Sequence, residues 1–252
     1  MVIRAFLTIA LGLALFALAA VPVAQADTIT FSGLTHGEIV TTDVAGVTVS
    51  ANNATRGLTI AAIFHTTSSG TSDPDLEDPF SNAGNLSGST VMGNALILAE
   101  NDTGSSDGVL DDPDDEGVRR SSGNWIQFVF GTAVLDLGWD VIDLESASSE
   151  KSSVLFTDSS GDTATLQYDD GTAGDLESLF GLGYGDNSLN RISSITAASL
   201  GLDDFTTVRF NVGGSMALDN LTFTSVPEPG TLALLACGLL CIFLYRRSRA
   251  VA

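Results

Sequence analysis

The sequence predicts an all-β protein: a jelly-roll-like β-sandwich, flanked by an N-terminal signal peptide helix and a C-terminal transmembrane helix. Three observations predict the sandwich. About ten short runs rich in β-branched and aromatic residues follow one another from Asp27 onward. Each is bounded by Gly, Asn, Asp, Ser or Pro. No long amphipathic helix interrupts them.

The elements run in order as follows. Residues 1–26 read as a signal peptide. Arg4 supplies the positive start, Ala5 to Ala20 the apolar stretch, and Pro22 the helix break. Ala24 and Ala26 place small residues where signal peptidase cuts, so cleavage is expected before Asp27. Residues 27–225 form the predicted sandwich. "DTITFSGL" alternates, with Ile29 and Phe31 on one face, and "EIVTTDVAGVTVSA" reads as strand, turn and strand. "GLTIAAIF" and, after a long polar loop, "NALILAE" follow. Then come "NWIQFVF", "AVLDLGWDVIDLE", "SSVLFTD", "TATLQYDD", "NRISSITAA", "DFTTVRFNV" and "MALDNLTFTS". The one helix candidate, "GDLESLFGLG", is short and ends in glycines. No repeat of fixed period is present.

Residues 226–252 change character again. Val226-Pro227-Glu228-Pro229-Gly230 leads into an apolar run from Thr231 to Tyr245, then Arg246, Arg247 and Arg249. Fifteen residues reach about 22 Å as a helix, against a hydrocarbon core of about 30 Å. Snorkelling arginines make up part of the shortfall and act as the membrane stop, holding the tail on the cytoplasmic side.

Charge narrows the function. The chain has 31 acidic and 10 basic residues. Four of the bases lie at the tips. The stretch between them sets all 31 acids against Arg56, Arg119, Arg120, Lys151, Arg191 and Arg209, a formal charge of −25. Such a body repels phosphates, so nucleic acid is excluded as a partner. Cys237 and Cys241 both lie in the terminal apolar run. The body therefore has no disulfide framework, thiolate metal site or cysteine nucleophile.

Two loops concentrate carboxylates. "SDPDLEDPFSNAGN" carries Asp73, Asp75, Glu77 and Asp78; "ENDTGSSDGVLDDPDDEGVRR" carries eight more acids, among them Asp111, Asp112, Asp114 and Asp115. Calcium prefers several hard oxygens on a flexible loop. The expectation is one or two structural calcium ions with ligands among Asp73, Asp75, Glu77, Asp111, Asp112 and Asp114. The second loop is not an EF-hand, because Gly123 falls where the bidentate glutamate belongs and no helix flanks it.

Catalytic patterns are weak. His36 and His65 are the only histidines, and there is no Gly-x-Ser-x-Gly elbow. With 31 acids, a carboxylate pair suited to glycoside hydrolysis arises by chance and carries no weight. Trp125 and Trp139 are the only tryptophans; either can stack on a sugar or fill a core.

The carboxyl end resembles a PEP-CTERM sorting signal, with its motif, apolar helix and basic tail in order. The resemblance implies a membrane protease-transpeptidase, an exosortase, as partner, with Pro227, Glu228 and Pro229 as the residues it recognises. It also implies an envelope or matrix location and exopolysaccharide as a neighbour. The first and last strands resemble those of carbohydrate-binding-module-like sandwiches. In similar jelly rolls a pair such as Glu38 and Asp219 flanks a structural calcium. The combined expectation is a non-enzymatic structural, adhesive or glycan-associated module, exported, transiently anchored, and delivered to the cell surface or matrix. The alternative is a polysaccharide lyase or hydrolase on the same sandwich.

Overall fold

The computed structural model describes residues 26–40, 43–82, 84–115, 123–144, 151–169 and 171–226, with Gly238 and Ile242. Eleven strands make one antiparallel hydrogen-bonded sheet. They are β1 (Ala26–Ile29), β2 (Asp43–Val44), β3 (Val47–Asn52), β4 (Ala61–His65), β5 (Asn94–Leu98), β6 (Trp125–Ile142), β7 (Ser153–Thr157), β8 (Thr163–Gln167), β9 (Leu189–Thr196), β10 (Phe205–Asn211) and β11 (Ala217–Ser225). One short helix, α1 (Leu176–Phe180), lies between β8 and β9. Asp175 caps it by accepting the Ser178 N–H at 2.8 Å, and Gly181 ends it in the left-handed conformation.

The long strand β6 makes the sandwich. Its first half, Trp125 to Phe130, pairs with β3 on one side and β10 on the other. Its second half, Asp136 to Ile142, pairs with β11 and β9. Val134 pairs with both Phe205 and Ser225, so the strand passes from one layer to the other there. The sequence reads this stretch as two runs separated at Gly131-Thr132. The structure joins them, and register shifts on either side absorb the bend.

Inward residues alternate along the strands: Val47, Val49 and Ala51 on β3; Ile126, Phe128 and Phe130 on β6; Val208 and Phe210 on β10. They meet Leu137, Trp139, Leu218 and Leu221 from the other layer. Phe210 packs edge-on against Trp139 with centroids 5.2 Å apart. The Trp139 Nε1–H donates to the buried Tyr168 hydroxyl at 3.1 Å. Each fully buried Leu, Ile or Phe here contributes roughly 1.5–3 kcal/mol. Phe31 is buried as expected, but it lies past the end of β1, at φ 52°.

A second core lies outside the β4–β5–β11–β6–β9 layer. Phe64, Ile97, Ile142, Leu189 and Ala217 are covered there by Leu76, Phe80, Met92 and Leu110 from the acidic loops. This explains the unbroken apolar stretches of β4 and β5, which are buried on both faces. The loops thus form a third stratum, clamped on the sheet by their own apolar plugs.

Candidate functional site

The two acidic loops meet on this outer stratum. The first leaves β4 through Thr66, whose N–H donates to the Gly93 carbonyl at 2.7 Å. Pro74 to Leu76 make a single 3-10 turn that drives Leu76 into the second core. The second loop closes on itself through Asn101, which donates to the Asp112 carbonyl at 2.8 Å. Ser72 bridges the loops by donating its hydroxyl to Asp112 Oδ1 at 2.6 Å.

Beneath that bridge, Asp73, Asp114 and Asp115 place one carboxylate oxygen each within 4.8 Å of one another. Asp73 and Asp115 are buried, at 0 % and 1 % exposure. The Ser215 hydroxyl donates to Asp115 Oδ1 at 2.6 Å and the Met216 N–H to Oδ2 at 3.0 Å, tying the cluster to the start of β11. Asp143, also buried, adds a fourth carboxylate to the field around Asp115. Burial pushes the Asp115 carboxyl well above the usual range, and the charges of Asp73 and Asp143 push the same way. Among the described residues the arginines are engaged elsewhere. Arg56 pairs with Glu100 at 2.5 Å, Arg191 with Asp140 at 2.6 Å, and Arg209 with Gln127. The donor set is entirely hard oxygen, which fits calcium and not a nitrogen- or sulfur-seeking metal.

The other sequence-derived candidates have local contacts of their own. Glu77 closes the first loop, accepting the Thr71 N–H and hydroxyl at 2.7 Å each. Burial raises the Asp75 carboxyl above its ordinary value, and the charge of Asp186 pushes the same way. Asp111 packs against Gly104, where an added Cβ would lie 2.4 Å from its carboxyl carbon. Asp112 serves the bridge to Ser72. Glu38 is used locally, accepting the Thr35 N–H at 2.8 Å and hydroxyl at 3.1 Å. Asp219 lies opposite Asp140 on β6, near Arg191, and is pushed up to about 8, first by burial. Asp115 completes the cluster yet is indistinguishable from its neighbours by residue type alone.

Ala26, at the expected signal cleavage, begins β1; Ala24 lies outside the described residues. So do Pro227, Glu228, Pro229, Arg246, Arg247 and Arg249. Among the described residues no helix is long and apolar enough to cross a membrane.

Comparison with known families identifies the carboxyl end: residues 225–249 match the PEP-CTERM protein-sorting motif. The motif implies an exported protein sorted by an exosortase, with a membrane-anchor signal at its carboxyl end. Among solved structures it is similar to the K2 cleaved adhesin domain of Lys-gingipain, with a TM-score of 0.37 and 12 % identity over 80 % of this chain and 98 % of that one. No curated protein sequence matches it.

Proposed function

We propose that the protein is a non-catalytic structural or adhesive module of the cell envelope or extracellular matrix. The sorting motif at residues 225–249 carries this reading, because it dedicates the chain's end to delivery. The prolines of Pro227-Glu228-Pro229 disfavour helix ahead of the apolar run, a preference that suits recognition by a membrane protease. Signal peptidase removes residues 1–26 and an exosortase processes the tail, releasing the sandwich outside the cell. Calcium at Asp73, Asp114 and Asp115 pins the outer loop stratum and relieves the repulsion among carboxylates held within 4.8 Å of one another.

Replacing Pro227, Glu228 and Pro229 together by alanine in a host with an exosortase tests delivery. The expected outcome is an unprocessed chain held in the membrane fraction. Normal processing and release of the substituted chain would overturn the reading.

A further inference from the structure

The two outer faces of the sandwich differ. One lies under the acidic loops. The other belongs to β3, β6, β10, β7 and β8, and its alternate residues point away from the core. The register lines them up across the strands. Asn52, Trp125, Asn211 and Gln167 fall in one row, and Gln127 and Arg209 in the next. All six are partly exposed. In a body of charge −25, no outward position on β3, β10, β7, β8 or the Trp125–Phe130 half of β6 carries a carboxylate. The face offers mainly amides and hydroxyls, with one indole, one guanidinium and the aliphatic side chains of Val129 and Leu155.

Its central side chains are already fixed. Arg209 donates from Nε and Nη2 to Gln127 Oε1 at 2.9 and 2.7 Å. Its guanidinium carbon lies 4.6 Å from the Trp125 ring centroid. Asn211 donates to the Ser153 hydroxyl at 2.9 Å. A partner therefore meets a preorganised surface and loses little free energy in ordering it. The indole and guanidinium planes offer an apolar patch for the C–H face of a sugar ring. Amides that both donate and accept match hydroxyls that do the same. A row of five strands spaced about 4.8 Å apart spans about 19 Å, so the ligand it fits is extended. The acidic body repels polyanions, and one arginine does not offset that field. The face is also too polar for the apolar centre of a stable protein interface.

We propose that this open face binds a linear, neutral polysaccharide laid across the strands. The proposal rests on the reading of the protein as an envelope or matrix module and names its ligand class. Affinity electrophoresis of the full chain, in a detergent without a sugar headgroup, tests it. The gels carry dextran, hydroxyethylcellulose or galactomannan, with alginate as the acidic control. Retardation by at least one neutral polymer is expected, weakened about tenfold or more in Trp125→Ala and Arg209→Ala. Trp125→Phe should recover part of the binding, and Ser193→Ala, exposed on β9, should leave it unchanged. In Trp125→Ala the remaining tryptophan, Trp139, reports by its buried fluorescence that the fold is intact. Lack of retardation by all three neutral polymers, retardation by alginate alone, or undiminished binding in both alanine variants would overturn the proposal. Processing at Pro227-Glu228-Pro229 is read separately, so failure here is distinguishable from failure of the delivery reading.

Discussion

Replacing Asp115 by asparagine should change stability in opposite directions with and without calcium. The carboxylate accepts from the Ser215 hydroxyl and the Met216 N–H. Asparagine can keep both contacts, its oxygen accepting from Met216 and its amide donating to a rotated Ser215 hydroxyl. What it loses is charge. In excess chelator that loss relieves repulsion from Asp73 and Asp143, so the variant should be as stable as the parent or about 1–2 kcal/mol more so. With calcium at a hundred times its dissociation constant, the parent should gain about 2.7 kcal/mol. For a domain of this size that is a rise in Tm of roughly 5–10 °C. The variant, short of a charged ligand, should gain less than about 2 °C. Differential scanning calorimetry of the full chain in detergent, with chelator and then with calcium, gives all four values. A parent Tm indifferent to calcium would refute the site. So would an Asp115→Asn penalty of equal size in both buffers, since that would mean a purely structural hydrogen-bond loss.

Two further substitutions probe the sheet. The Asp219 carboxyl is held at about 8, so the folded protein binds a proton there that the unfolded chain releases near its ordinary value of 3.8. Stability should therefore fall as pH rises from about 4 to about 8, by up to about 1.4 kcal/mol per pH unit from this group. Asp219→Asn should remove that slope and be relatively more stable at pH 8 than at pH 5 in urea titrations; parallel pH profiles would contradict it. Gly138 sits where an added Cβ would lie 2.4 Å from the Ser193 carbonyl oxygen and 2.8 Å from Thr222 Oγ1. Gly138→Ala should cost about 2–3 kcal/mol by pushing β9 and β11 away from β6, and an unchanged urea midpoint would show that the ladder gives way freely.

Strand positions were largely legible because turn residues punctuate them. "SSVLFTD", "TATLQYDD" and "DFTTVRFNV" contain β7, β8 and β10. The helix candidate contains α1 because an Asp cap and a glycine stop bracket it. The continuity of β6 was not legible, since Gly131-Thr132 looks like a turn and only pairing on both sides keeps it extended. Nor was the third stratum, because nothing local in "AAIF" or "NALIL" says that a loop will cover the far face. Charge marked both acidic loops, but their convergence is a long-range contact, and Asp115 differs from Asp114 only in what packs over it. The sorting motif was readable in full because its information is linear: a short motif, an apolar run and a basic tail in order.

Ala26 on β1 pairs with Thr224 on β11, so the cargo begins and ends at one corner of the sheet. β11 is an interior strand there, hydrogen-bonded to β6 on one side and to β5 and β1 on the other. Tension applied through the carboxyl end would run along that strand and load its ladders in shear, many bonds at once, instead of peeling them singly. A fold wired in this way resists a pull at its carboxyl end better than one whose last strand lies at a sheet edge.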